Sequence, residues 1–253
     1  MIVYLRHGDA DVPVDLHDPI DLSIPMVAGE NTLRAWYLPP LTIEPVVMDG
    51  FVGDVNQGGS VNFRNIGFNP HGHSTHTECV GHISAEPHSV NQAVKQFFLA
   101  ARLISVAPNV KDNGDRVIGL DQLQSMLPNG VTEALLVRTL PNELSKKQFN
   151  YSHTNPPYVE AEAATWLREQ GVMHLLIDTP SVDREEDGGA LAAHRAFWNY
   201  PEATAALRTI TEMFFAPAEV ADGDYLLNLQ FAPFENDASP SRPVLYNLPN
   251  FLW

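Results

Sequence analysis

The chain has a single cysteine, Cys79, in 253 residues. That excludes an intramolecular disulfide framework and suits a reducing compartment. No apolar run approaches the ~20 residues that a membrane-spanning helix needs. The opening MIVYL is apolar, but Arg6, His7 and Asp9 follow at once, which does not make a secretory signal. A cytoplasmic protein is therefore expected. Positive charge is scarce as well: 15 Lys and Arg stand against 31 Asp and Glu, a formal net charge of -16. Nucleic acids and anionic membranes are bound through basic patches, so neither is expected as a partner. A small-molecule substrate is what remains.

There is no internal repeat, no low-complexity tract and no stretch that reads as a flexible linker. Apolar, β-branched runs predict strands at 42–48, 103–108, 134–140, 173–180, 225–231 and 242–248. Helical periodicity is clearest over 158–171, with Gly171 as the terminating residue. Further helices are predicted over 187–200 and 120–127, and the run from Val90 to Val106 is ambiguous, with NQAVKQFFLAARL able to form helix before the chain turns to strand. Surface loops are expected at 107–117 and 142–157. Strand 134–140, helix 159–170 and strand 173–179 have the order of a βαβ unit. The expectation is one strand-rich α/β domain spanning residues 1–253.

What is abundant is histidine, in one place. HGHSTHTECVGH, residues 71–82, holds four histidines and a glutamate. A zinc or manganese ion takes three or four nitrogen or oxygen ligands, and a catalytic site leaves one position open. His76 and Glu78 are two apart, so an extended segment points both to one side. His71 and His73 have the opposite parity, and one of them must be swung back by a bend at Gly72 or Ser74. One of His71 or His73 is thus offered as the third ligand, and His82 lies beyond. Cys79 falls on the other face and reads as a small buried apolar side chain. His7, His17, His88, His153 and His174 have no such company and read as structural.

These residues resemble a known family. Thr75-His76-x-Glu78-x-x-x-His82 is similar to the His-x-Gly-Thr-His-x-Asp-x-Pro-x-His signature of the cyclase-type metal-dependent hydrolases, which include bacterial kynurenine formamidase and isatin hydrolase. IDLSIPM (20–26) resembles the family's opening strand, and LLIDTPSVD (175–183) its Asp-x-Pro-Ser-Val-Asp segment. AAHRAFW (192–198) is similar to its helix bearing a His-Arg pair. TEMFFAPAEVADGDYLLNLQF (211–231) is similar to the region that runs on to Gly-Asp-Tyr. The likeness covers about Ile20 to Tyr246, leaving 1–19 as an extension without clear counterpart.

The resemblance implies a fold of the swivelling β/β/α type, and an amidohydrolase cleaving the C–N bond of a small aryl or cyclic amide such as N-formylkynurenine. It implies a divalent metal, Zn2+ ahead of Mn2+, as one or two ions per chain, and a homodimer or homotetramer. His76 and Glu78 become ligands, joined by His194 and Glu212, with the two carboxylates able to bridge two ions. His82 becomes the acid/base, and Glu212 shares in the catalytic centre. There are departures: Gly72 stands at the family's first histidine, so the resemblance makes His71 the first ligand with His73 as its substitute; Glu78 replaces aspartate, and Ser74 and Val80 replace glycine and proline. Among Trp36, Phe197, Trp198 and Phe214, Trp36 is the best candidate to touch substrate. Two rival readings are a metal- or ligand-binding protein without catalysis, and a histidine phosphatase, from Arg6-His7-Gly8 after a short apolar strand.

Overall fold

A computed structural model of the chain describes residues 1–7, 10–128 and 130–248, at His7 and Ala10 the backbone alone. Its centre is built from β-branched and leucine-rich runs. Strands β5 (Phe98–Val106), β6 (Ala134–Thr139), β7 (His174–Ile177) and β8 (Thr209–Glu212) lie side by side in parallel. Every residue of β6, β7 and β8 is buried. Both faces are covered, which is why these strands read as unbroken apolar runs.

Alternation decides what each face meets. Leu135, Val137, Leu175, Ile177 and Ile210 pack outward with Leu123, Ala163, Leu167 and Phe197. Those partners come from helices α2 (Leu120–Met126), α3 (Ala161–Glu169) and α4 (Ala192–Trp198). Ala101, Leu103, Ala134, Leu136 and Leu176 point the other way, toward Leu227, Leu229 and Leu245. The last three belong to β9 (Gly223–Phe231) and β10 (Ala238–Asn247).

Strand β9 pairs with β5 on one side and β10 on the other. The three-residue strand β4 (His76–Glu78) joins β10 to β8 and so closes a barrel-like ring of seven strands. Strand β3 (Ile20–Asp21) adds to β10 beyond it. An antiparallel hairpin of β1 (Ile2–His7) and β2 (Ala10–Asp15) covers the outside of β9, packing Val12 and Val14 against Leu226.

Several expectations need correction. The run before 106 is strand from Phe98, and helix is confined to one turn at Val90–Ala93. Leu99, Ala101 and Leu103 alternate into the barrel and β5 is paired on both edges, so tertiary pairing overrides helix propensity. Segment 42–48 is no core strand. It breaks into Thr42–Pro45 and Val47–Met48, each in its own exposed hairpin. The predicted loop at 107–117 holds a small antiparallel pair, Asn109–Val110 with Arg116–Ile118. Helix α4 starts only at Ala192, because Gly188 and Gly189 take positive φ and the Asp187 carboxylate accepts from the Gly189 and Leu191 amides. The βαβ unit is present as β6–α3–β7, with Ala134 in register with His174, and Gly171 has the left-handed φ of 96° expected after a helix end.

In the phosphatase-like stretch, Gly8 lies outside the described residues. Arg6 is held in the exposed hairpin by Asp11 at 2.9 Å. Among the described residues no helix is long and apolar enough to cross a membrane.

His174 gives the fold a pH signature. Buried at the start of β7, its Nδ1 lies 2.8 Å from Thr209 Oγ1. Burial first, then the Arg208 charge, pushes its pKa down to about 4. The folded ring therefore resists a proton that the unfolded chain accepts near pH 6.5. Stability is complete above that pH and is lost as pH falls toward 4, by about 2 kcal/mol at pH 5. Urea unfolding at about pH 7.5 and pH 5 should show an acid loss smaller by roughly that amount in His174→Gln; an equal loss in both proteins would remove His174 as its source.

Candidate metal centre and active site

The site is assembled on β4. Cross-strand register sets Glu212 of β8 opposite His76, with Ile210 opposite Glu78. His76 Nδ1–H donates to Ser74 O at 3.0 Å, which fixes the tautomer and leaves Nε2 as a lone-pair donor. That nitrogen lies 3.4 Å from Glu212 Oε2 and 3.9 Å from Glu78 Oε2.

The question of His71 or His73 is answered by a helical turn rather than by strand parity. Helix α1 (Pro70–His73) opens on Asn69, whose side-chain oxygen accepts from His71 N at 2.9 Å, with Pro70 in the first turn. The turn carries His71 back over β4, where Nδ1 reaches 3.1 Å from Glu78 Oε2. His73 points away, with Nδ1 accepting from Asn69 N at 2.9 Å and Nε2–H donating to Pro39 O at 2.8 Å. At Gly72 a Cβ would stand 2.4 Å from Leu38 Cδ1 and 3.0 Å from Ala35 O, so a side chain there would have to displace Leu38.

His194 arrives from α4. Its Nε2 lies 3.0 Å from Glu78 Oε1 and 3.8 Å from Glu212 Oε1. Its Nδ1–H donates to Asp183 Oδ2 at 2.6 Å, and Asp183 also accepts from the Ala193 and His194 amides. One carboxylate thus caps the helix and orients the ring it presents. Glu212 Oε1 accepts from Val182 N at 3.1 Å. His82 follows in a 3-10 turn (Val80–His82), exposed, with Nδ1 3.4 Å from Asp237 Oδ2 and 3.9 Å from Glu78 Oε2.

The expected ligands His71, His76, Glu78, His194 and Glu212 and the expected acid/base His82 therefore meet at one place, and His73 does not. Trp36 joins them: its Nε1–H donates to His71 O at 3.1 Å, and it lines a cavity of about 350 Å³ together with His71, His82, His194 and Glu212. Phe197, Trp198 and Phe214 are core residues. Cys79 faces away, packed with Val90 and Ala93. Two residues escaped sequence reading. Asp183 belongs to the 175–183 segment but carries no local signal of a role. Asp237 is brought in only by the register of β10 on β4.

The charges here are strongly interdependent. Burial disfavours the Glu78 carboxylate, but His82, His194 and His71 outweigh it and hold its pKa well below the usual range. Burial likewise opposes charge on His71, yet Asp237 and Glu78 lift its pKa to about 10. His194 is raised well above the ordinary value by Asp183 and Glu78, against its burial. Protonated imidazoles thus balance the buried carboxylates, and a divalent cation would take over that task with release of protons. His76 Nε2 is buried without a hydrogen-bond partner, and Glu78 Oε2 meets its imidazoles only as ion pairs outside hydrogen-bond geometry, a costly state that a bound cation would relieve. Among the described residues three overlapping donor groups lie close enough to hold an ion: His71, His76 and Glu78; Glu78, His82 and His194; His71, His82 and Asp237. The residues present fit a divalent metal.

The family model Cyclase matches residues 20–184, more than half of the chain. The chain belongs to the cyclase family. The match begins beyond the β1–β2 hairpin. Kynurenine formamidase of Bacillus cereus strain ZK / E33L is 30% identical over 191 residues, 75% of this cyclase-family chain and 82% of that protein. A predicted metal-dependent hydrolase from Bacillus stearothermophilus has the same fold, with TM-score 0.63 at 18% identity over 90% of this chain and 98% of that one. So has isatin hydrolase A from Labrenzia aggregata, bound to benzyl benzoate, with TM-score 0.66 at 14% identity over 91% and 94%.

Metal analysis of single variants tests the assembly. His76→Ala and His71→Ala should lose bound metal, whereas His73→Ala should keep it while costing about 1–3 kcal/mol of stability from its two severed hydrogen bonds. Retention by His76→Ala, or loss by His73→Ala, contradicts the arrangement.

Proposed function

We propose that this chain is a metal-dependent amidohydrolase that cleaves the C–N bond of a small aryl or cyclic amide, with N-formylkynurenine the first substrate to try. The observation that carries the reading is the convergence of four imidazoles and two buried carboxylates, four of them from residues 71–82 and the others from α4 and β8, with His71, His82, His194 and Glu212 on the wall of one cavity. Relatives named kynurenine formamidase at 30% identity support the amide. The indole of Trp36 beside those imidazoles supplies an apolar wall for a flat substrate.

His71, His76, Glu78, His194 and Glu212 would hold the metal. Imidazole and carboxylate donors without thiolate suit Zn2+, and Mn2+ second, as one ion or as two sharing the carboxylates. Such an ion supplies Lewis acidity, bringing the pKa of water down to about 7 and polarising a carbonyl. The chain's own residues do the rest. His82 stands exposed at the cavity with Nδ1 toward Asp237, leaving Nε2 to take the proton from water as its oxygen adds to the carbonyl carbon. The same nitrogen returns that proton to the amide nitrogen as the C–N bond breaks, so that an amine leaves and not an amide anion. Trp36 and Leu38 line the same cavity. A cytoplasmic homodimer or homotetramer acting on a small molecule, with no nucleic-acid or membrane partner, completes the proposal.

The test is a hydrolysis screen over N-formylkynurenine, a cyclic imide and a lactone, with chelator and with zinc restored. Turnover should vanish with chelator and return with zinc. In His82→Ala the metal should stay while kcat/KM falls by about 10²–10⁴-fold. Undiminished turnover in that variant removes His82 from its role, and bound zinc with no turnover on any substrate favours a binding protein.

A further inference from the structure

Asp237 is the one carboxylate that touches two histidines of the site and that no motif announces. Its Oδ2 lies 2.9 Å from His71 Nε2 and 3.4 Å from His82 Nδ1. The two rings lean on each other, centroids 4.3 Å apart at 31°, so one oxygen serves the edges of both. We propose that Asp237 is a positioning residue for both rings, fixing His71 as a metal ligand through Nδ1 and His82 as a proton acceptor through Nε2. This deepens the hydrolase reading and rests on it for the His82 half.

The argument is one of tautomers. A neutral imidazole has one N–H and one lone pair. Once a cation displaces the second proton, a carboxylate against Nε2 of His71 keeps the remaining proton there and frees the lone pair of Nδ1, which lies 3.1 Å from Glu78 Oε2, for the donor cluster. For His82 the same oxygen takes the Nδ1 edge, and the opposite nitrogen is left to exchange protons. The device recurs across the site, where Asp183 takes Nδ1–H of His194 and leaves Nε2 toward Glu78. Carboxylates in this position orient ligand histidines and raise their basicity.

The backbone holds Asp237 in place. Cys79 N–H donates to Asp237 O at 3.0 Å, Val90 N–H donates to Asn236 O at 2.8 Å, and Ala238 stands opposite Glu78 in the ladder. Gly81 leaves space for the approach: a Cβ there would sit 3.2 Å from Asp237 Cβ and 2.4 Å from His88 O. The placement is therefore a property of the sheet register and not of a mobile loop.

Asp237→Asn and Asp237→Glu decide the matter in the full-length zinc protein. In Asp237→Asn, chelator competition should show zinc affinity weakened by about 10–100-fold with unchanged stoichiometry at saturation. Long-range 1H–15N spectra should show His82 changing from the Nδ1–H form to a mixture. On any hydrolysed amide, kcat should fall by at least about 10-fold with KM little changed, and Asp237→Glu should recover part of both losses. Unchanged affinity together with an unchanged His82 tautomer overturns the proposal. So does the loss of one zinc per chain at saturation, which would make Asp237 a ligand. Should the wild-type protein hydrolyse nothing, the functional reading fails by itself, and zinc affinity and the tautomer still judge Asp237.

Discussion

A carboxylate with no access to water persists only where donors or cations surround it, and Glu78 is such a group. Its companions come from far apart: His71 from the turn before β4, His82 from the turn after it, and His194 from α4, more than a hundred residues on. Strand β4 holds this carboxylate between two neighbours that supply the rest. Strand β8 sets Glu212 beside His76, and β10 brings Asp237 to the edge of the cluster. A one-residue slip of β4 would turn His76 and Glu78 to the opposite face and put Thr77 in the centre. Thr77 is instead tied to Thr211, hydroxyl to hydroxyl at 2.8 Å, which pins the register from behind.

The cavity above the cluster has a rim with its own cost. Trp36, Tyr37, His153 and Asn155 all adopt positive φ without being glycine, each a conformation roughly 1–2 kcal/mol above the right-handed basin. Glu185 offsets this strain by accepting from the amides of His153, Thr154 and Asn155. The Tyr37 ring closes over His153 with centroids 4.5 Å apart. Strain of this kind survives only where surroundings over-determine the backbone. Of these residues Trp36 and Glu185 line the cavity beside His71, His82 and His194.

How much of this could be read from the sequence follows from how local each determinant is. The pairing of His76 with Glu78 needs only the two-residue period of a strand, and it was legible. So were β6 and β7, because strands buried on both faces announce themselves as apolar runs. The choice of His71 over His73 depended on a four-residue helix that parity arguments on an extended chain cannot see. His194 and Glu212 came from likeness to a family, since a single helical histidine or a single acid has no local mark. Asp183 and Asp237 were invisible, one reaching across to the start of α4 and the other placed by strand register. The error at 90–106 had the same root: Ala- and Gln-rich spacing suggested helix, and pairing on both edges of β5 decided otherwise.

The lone sulfur carries a last consequence. Cys79 is fully buried among Val90 and Ala93, its Sγ–H directed at His88 O, and burial pushes its thiol pKa up to about 11. It is thus a protonated, unreactive thiol next in sequence to Glu78, on the far side of the strand from the imidazoles. A centre made only of nitrogen and oxygen donors has nothing for peroxide to convert to a sulfenate. Its affinity for a divalent cation would follow the protonation of its imidazoles and carboxylates, with no thiolate ligand to be lost to an oxidant.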